Sequence, residues 1–320
     1  MIITSSFPYT EILNWNNLNL LRSVKLIDHL NGFDQFGNNS ILEIINQICD
    51  TNKHRISVVY HNLLENTILS KYSNIDFVFD AQLQYTLNFS TMEKYTIHPP
   101  LEYTNFVCSF NGTPHVSRKL LVSILKKVGW FDPYFCSKNF CYTSDAVDGH
   151  VSEYVGAART QFYNKFFLND ETFNQSLVTF GHVRFNHGSN IYNLEHKLTK
   201  SFLHLVSETM ATSYQPFVTE KFLYSIVTRG LFLAYAQPGW HAHLEKYYGF
   251  RRYTKLFDYR FDSVQNPVER LVELVSMISK FSVLSPDDWT DLYLLEQDTV
   301  KYNYNHYFSG DYLKHLKAYE

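Results

Sequence analysis

Cysteine, proline, glycine and charge are all scarce in this chain. Four cysteines (Cys49, Cys108, Cys136, Cys141) among 320 residues are too few for a disulfide framework. Cys136 and Cys141 have four residues between them, and no second pair completes a zinc set. All four read as reduced, unpaired thiols. Nine prolines and 12 glycines exclude collagen-like and low-complexity chains. Charged residues reach only 18%, with a net charge of -3. That balance argues against a protein built mainly to grip nucleic-acid phosphates, although it leaves room for a local basic cleft. Long apolar runs are missing too. The most apolar segment, residues 222–236, is broken by Arg229 and Gly230 and is too short to cross a bilayer. The opening Met1-Ile2-Ile3-Thr4-Ser5-Ser6 has no basic stretch leading into an apolar one, so it does not read as a signal peptide. Without secretion, the N-x-S/T triplets at Asn38, Asn88, Asn111 and Asn174 read as chance matches. The expected setting is soluble, reducing and cytoplasmic.

Aromatic side chains are abundant: 26 Phe and 24 Tyr help bring the aromatic share to 17%. Such rings supply enough buried area for a sizeable core. The length fits about two domains. Ile56–Tyr60 and Ile75–Phe79 read as strands, and Ile41–Ile48 as a helix. Alternation of this kind predicts parallel strands in an α/β layer. His98-Pro99-Pro100 is the clearest break and a candidate interdomain link. Beyond it, Thr104–Phe110 reads as a strand, Asn111-Gly112-Thr113-Pro114 as a turn, and Ser117–Val128 as a helix closed by Gly129. Residues 132–193 show no clean period and read as an irregular, partly helical insertion.

The second half alternates again. Phe202–Val206 and Leu231–Ala236 read as strands. Thr219 is placed to cap a helix from Glu220 to about Arg229, ended by Gly230. Pro238-Gly239 leads into a helix from about His241 to Tyr248, stopped by Gly249. Asn266-Pro267-Val268-Glu269 and Ser285-Pro286-Asp287-Asp288 both look like helix starts. The fold expected is α/β, with two Rossmann-like domains facing a cleft and a C-terminal helix. Its divisions are an acceptor-side domain over residues 1–100, a donor-side domain over 101–284 and a helical tail over 285–320.

Several familiar signatures are missing. There is no G-x-G-x-x-G, no G-x-x-x-x-G-K-[ST], no H-E-x-x-H and no G-x-S-x-G. No D-x-D pair offers a divalent-metal site for a nucleoside diphosphate. The strongest positive segment runs through Leu205-Val206-Ser207-Glu208-Thr209 and Phe217-Val218-Thr219-Glu220-Lys221. A helix opening at Thr219 presents free N–H groups and a partial positive charge, which suit a diphosphate, and Lys221 adds a full charge. Glu220 can accept from sugar hydroxyls. An ordinary capped helix with a solvated Glu–Lys pair would explain the same residues.

Those residues resemble the donor-binding motif of the fucosyltransferases of GT-B fold. That motif is an apolar strand ending Phe-Glu-Asn-Ser, a short loop, then Tyr-x-Thr-Glu-Lys, a helix, and a Gly before the next strand. Glu208 matches its first Glu, and Thr219-Glu220-Lys221 its Thr-Glu-Lys. The strand Phe106–Phe110, then Asn111-Gly112 and Arg118, is similar to the opening of the same donor domain. Pro238-Gly239, Gly249-Phe250, Asp258, Phe261-Asp262 and Glu269-Arg270-Leu271 look like uncharacterised viral and bacterial relatives. The resemblance covers about Asn105–Val275. Three features depart from the motif: Thr209 replaces its Asn, Phe217 replaces its Tyr, and the intervening loop is two residues longer.

The resemblance implies an inverting glycosyl transfer from a nucleotide-diphosphate sugar to a hydroxyl acceptor, with no metal and no other cofactor. By the same token Arg118 and Lys221 would bind the diphosphate, with Glu208, Thr209, Thr219 and Glu220 shaping the donor site. Asp80 and then Glu102 are the candidates for the base that takes the acceptor proton; Glu220 is a further candidate for a catalytic role. The acceptor expected is a glycan, with modified bases of phage or viral DNA as an alternative. Host cytoplasm is the setting if the source is viral. A non-catalytic binding protein on the same fold is the reading from a different class.

Other constellations carry less. His182, His187, His196 and Glu195 match no metal-ligand spacing, and loop histidines explain them. His241 and His243 can reach a donor phosphate or belong to a polar helix start. Arg251, Arg252, Lys255 and nearby Lys246, beside Tyr247, Tyr248 and Tyr253, can serve nucleic acid or form a solvated edge.

Overall fold

Apolar alternation in the first hundred residues builds a parallel sheet. The computed structural model describes residues 23–25, 46, 49–50, 55–60, 70, 72–81, 102–111, 116–138, 187–208, 211, 216 and 218–319. Within these, β1 (Ser23–Lys25), β2 (Ile56–Tyr60) and β3 (Ile75–Phe79) pair parallel in the order β1-β2-β3, with Val58 opposite Phe77. β2 and β3 have the bounds that the sequence predicts. Asn46 is the described residue of the helix expected over Ile41–Ile48, and it is helical. The His98-Pro99-Pro100 break lies outside the described residues.

A second parallel sheet contains β4 (Asn105–Asn111), β5 (Cys136–Lys138), β6 (Ser201–Ser207) and β7 (Leu231–Tyr235), in the order β5-β4-β6-β7. Every residue of β6 and β7 is buried. A strand covered on both faces reads as a continuous apolar run, which is why these two were legible. Val107 lies opposite Leu203, and Leu203 opposite Leu231. The helix α1 (Val116–Lys127) follows β4 and ends as predicted at Gly129, whose φ is 77°.

Three expectations need correction, the last at the C-terminal tail. Residues 132–193, expected to be irregular and partly helical, contain the start of α2 (His187–Lys200) but also the strand β5. Leu194 and Leu198, four residues apart, share a face of the helix, but the Asn, Gly and His residues around the helix start mask it. The single capped helix expected after Thr219 is instead a 3-10 turn, Glu220–Phe222, running into α3 (Leu223–Val227). Thr219 makes no side-chain cap there. Its left-handed terminator is Arg229 (φ 53°), not Gly230. Two contacts hold Arg229 in that conformation: its guanidinium lies 4.1 Å from the Tyr304 ring centroid, and its carbonyl accepts from the Tyr293 hydroxyl at 3.0 Å.

After β7, α4 (Trp240–Tyr248) runs between Gly239 and Gly249, both left-handed. The Asn266 side chain caps α5 (Pro267–Ser279) by accepting from Val268 and Glu269 N–H. The complete reciprocal capping box forms at α6 (Pro286–Leu295), between Ser285 and Asp288. In place of one C-terminal helix, α6 is followed by α7 (Gln297–Phe308) and α8 (Asp311–Lys317). Trp289 of α6 stacks on Phe106 at 5.9 Å and Phe202 at 6.0 Å. Tyr307, Tyr312 and Leu316 join the same buried cluster. The tail therefore helps form the core. The architecture is mixed α/β with parallel-strand sheets. Among the described residues no helix is long and apolar enough to cross a membrane.

Candidate functional site

Strand order selects one edge of the larger sheet. From β4 the chain moves to β5 on one side, and β6 then pairs on the other side of β4. Where successive connections leave in opposite directions, the carboxyl ends of the strands splay apart and leave room for a ligand. Here that point lies between Asn111, ending β4, and Ser207-Glu208, ending β6. The first turn of α1 closes it, with Ser117 Oγ 3.4 Å from the Glu208 carbonyl.

Buried polar groups gather at this edge. Asn111, Ser117, Arg118, Ser207, Glu208, Thr219 and Gln237 are each at most 5% exposed. Burying so many polar groups is costly unless each finds a partner or a task. The Asn111 amide donates to Ser109 Oγ at 3.1 Å, and that hydroxyl donates to the Leu205 carbonyl at 2.8 Å. Ser207 Oγ has no hydrogen-bond partner among the described residues.

Glu208 is the hub. Its carboxylate accepts from Thr219 N–H at 3.2 Å and from the Thr219 hydroxyl at 2.6 Å. Lys221 Nζ donates to the same hydroxyl at 2.7 Å, and lies 3.6 Å from Glu208 and 3.8 Å from Glu220. This explains the missing cap at Thr219: its oxygen is turned toward a carboxylate 11 residues earlier. At 3.6 Å and an effective dielectric near 20, the Lys221–Glu208 attraction is about 5 kcal/mol. Desolvating a buried carboxylate costs several kcal/mol, so the pair fixes geometry more than it stabilises the fold. Burial raises the Glu208 pKa, while Lys221 and Thr219 oppose the rise. Burial also pushes Arg118 down to about 10, against the pull of Glu208 and Glu220. Arg118 thus feels the same two carboxylates as Lys221.

The structure brings together Arg118, Glu208, Thr219, Glu220 and Lys221. Thr209 lies outside the described residues, as does Phe217. Asp80 directly follows β3 and is half-buried; its neighbours Phe79 and Ala81 belong to the same buried cluster as β4 and β6. Glu102 is not brought to this edge. It is exposed and pairs with Lys200 at 3.3 Å, just ahead of β4 and β6. A seven-residue strand spans roughly 20 Å, so Glu102 lies a full strand length from Glu208. A three-residue 3-10 turn at Glu220 carries little dipole, whereas α1 has 12 residues and opens at Arg118's own turn.

Ser207 and Gln237 were not legible as site residues. The signal available was a polar residue closing each apolar strand, a pattern too common to single them out. His241 proves structural. Its Nε2 accepts from Ala234 N–H at 3.0 Å, on the strand at the end of the sheet, which leaves Nδ1–H to donate to Asp262 at 2.7 Å. Asp262 in turn accepts from His241 and Ala242 N–H at the start of α4. Burial pushes His243 down to about 3, and its Nε2 has no hydrogen-bond partner among the described residues. Arg270 is also buried and donates to the carbonyls of Ala236 at 3.0 Å and Gln265 at 3.2 Å, as well as to Ala211 and Val264. It therefore ties the segment beyond Glu208 to the end of β7. His182 lies outside the described residues; His187 and His196 belong to α2. Among the described residues no three His, Cys, Asp or Glu side chains are grouped to hold a metal ion. Cys49, Cys108 and Cys136 are free and buried. Compared with models of known families, with curated proteins and with solved structures, the chain finds no match in any of the three.

Proposed function

We propose that the chain is a glycosyltransferase of GT-B type, with two Rossmann-like domains, that moves a sugar from a nucleotide-diphosphate sugar to a hydroxyl acceptor without a metal. One observation carries this reading. Arg118, Glu208, Thr219, Glu220 and Lys221, spread over more than a hundred residues, converge at the edge where the strand order reverses. In this reading Arg118 and Lys221 hold the diphosphate and stabilise the charge that develops as it leaves. Glu220, half-buried beside Lys221, accepts from donor hydroxyls. Glu208 holds Thr219 and Lys221 in place. Asp80 takes the acceptor proton; Glu102, at the opposite edge, is given no role. A glycan is the acceptor favoured.

The test is a thermal-shift panel with GDP, UDP, CMP and dTDP on the wild type and Lys221→Ala. A charge-assisted bond to phosphate contributes about 1.5–3 kcal/mol, so Lys221→Ala should weaken the preferred nucleotide about 10- to 150-fold. If no nucleotide shifts the wild type, the donor reading fails. A second reading, a non-catalytic binding protein on this fold, has one observation in its favour. Two carboxylates already balance the two cations of the cluster. Sugar release or transfer from any nucleotide sugar excludes it.

A further inference from the structure

A different part of the molecule concentrates positive charge. In a chain of net charge -3, the ten residues Arg251-Arg252-Tyr253-Thr254-Lys255-Leu256-Phe257-Asp258-Tyr259-Arg260 hold four cations and one carboxylate. They run from beyond α4 into the 3-10 turn Tyr259–Ser263. Beside it, at the end of α5, stands exposed Lys280. Between them an open depression of about 630 Å³ is lined by Arg252, Lys255, Arg260 and Lys280, with Asp258 the one carboxylate in its lining.

Buried polar side chains fix this surface connection. Asn303, on α7, accepts from Arg251 N–H at 2.7 Å and donates to the Arg251 carbonyl at 2.9 Å. Glu296, between α6 and α7, accepts from Lys255 N–H at 2.5 Å, Leu256 N–H at 3.2 Å and the Thr299 hydroxyl at 2.8 Å. Both side chains are at most 1% exposed. Burying a carboxylate and an amide is expensive, and here they serve to hold a solvent-facing segment rigid. A rigid backbone lowers the ordering cost of binding an anion, leaving only the side chains to be ordered. Arg252 and Arg260 are partly compensated by Glu245 and Asp258. Lys255 and Lys280 take part in neither pair. Lys255 rests on the Leu295 carbonyl at 2.8 Å, at the negative end of α6.

We propose that this depression binds linked phosphate groups. Its size exceeds what one phosphate needs and suits two or more in a row. Of the aromatics in its lining, Phe257 is buried and half-buried Tyr259 has the Arg252 guanidinium 5.3 Å from its ring centroid, so recognition rests on the phosphates rather than on stacked bases. An inorganic or small-molecule oligophosphate and a nucleic-acid strand present this same chemistry.

The test titrates the full chain with inorganic tripolyphosphate and with a short single-stranded oligonucleotide, at low and physiological salt. The variant is Lys255→Gln with Lys280→Gln. The control is Lys301→Gln with Lys317→Gln, exposed residues elsewhere that give the same net charge. The wild type should bind, and its affinity should fall as salt rises. The Lys255/Lys280 variant should lose roughly tenfold or more, with a salt slope lower by about two, while the control stays near wild type. Tighter binding of the oligonucleotide identifies a strand as the source; tighter binding of tripolyphosphate identifies a small oligophosphate. If the Lys255/Lys280 variant fails to fold, Arg260→Gln, at a side chain 91% exposed, replaces it with the same expected direction. No binding by the wild type at low salt, or equal losses in variant and control, would overturn the proposal.

Discussion

The Thr219 hydroxyl donates to Glu208 and accepts from Lys221, so a single oxygen aligns a buried carboxylate with a cation. Thr219→Val keeps the shape and removes that oxygen. A hydrogen bond to a charged group contributes about 1.5–3 kcal/mol, and urea titration should register a loss of that order. Thr219→Ser should recover most of it. A Val variant as stable as the wild type would mean that Glu208 finds another partner. At this scale the sequence was legible where charge closes an apolar strand, as at Glu208, or opens a helical turn, as at Lys221. It misled where a local motif competed with a distant partner. Thr219 has the sequence of a cap, but the carboxylate of Glu208 takes its hydroxyl. Glu102 shows the converse failure. Its place just ahead of a strand read over Thr104–Phe110 already puts it at the amino edge of a parallel sheet, away from Glu208.

Element boundaries were legible at Gly129, Gly239 and Gly249, each with φ > 0, and Gly249 is the case with most at stake. A Cβ there would sit 2.8 Å from His306 Nε2 and 2.9 Å from His315 Cδ2. His306 cannot swing away freely: its Nε2 donates to the Tyr248 carbonyl at 2.7 Å, and Tyr302 stacks on its ring. Gly310 has nearly the same φ, 73° against 75°, but open space around it. Gly310→Ala should therefore cost only the left-handed backbone penalty, about 1–2 kcal/mol. Gly249→Ala should cost that and a steric component, at least about 1 kcal/mol more by denaturant titration. Equal costs would show that His306 yields. At α6, Ser285→Ala removes one arm of a reciprocal capping box and should destabilise by about 1 kcal/mol. The capping residues of α5 and α6 could be read from sequence because their partners lie within three residues. The helices α7 and α8 could not. Their Tyr, Asn and His residues have no strong apolar period, and packing against Arg229, Gly249, Phe250 and Arg251 makes them elements.

Buried histidines set the behaviour of the whole molecule in acid. Burial pushes His204 and His243 down to about 3; Lys246 adds to the effect at His243 and Asp262 opposes it. In the unfolded chain both titrate near 6.5. Between those values the unfolded state binds protons that the folded state refuses. Stability is therefore complete above about pH 6.5 and falls as pH drops, by up to about 1.4 kcal/mol per pH unit for each histidine. Denaturant midpoints measured from about pH 7 to about pH 5 should decline steadily, and His243→Phe should make the decline shallower. A flat profile would mean that both imidazoles reach water. The parallel α/β class was readable from apolar runs, but the pairing that creates the site was not. Ser109 bonds to the Leu205 carbonyl across a separation of 96 residues, and no local pattern announces such a partner. That separation has a consequence for how the chain finds its shape. Closing a flexible loop of this length costs about 4 kcal/mol of chain entropy before the central strands return anything. The β4–β6 pairing should therefore be a slow event in refolding, later than the helices whose contacts are local. The same logarithm makes the cost insensitive to length: doubling the excursion would add only about 0.6 kcal/mol. The chain between β4 and β6 can thus grow by insertion at little thermodynamic penalty, while the edge that carries Asn111 and Glu208 stays as it is.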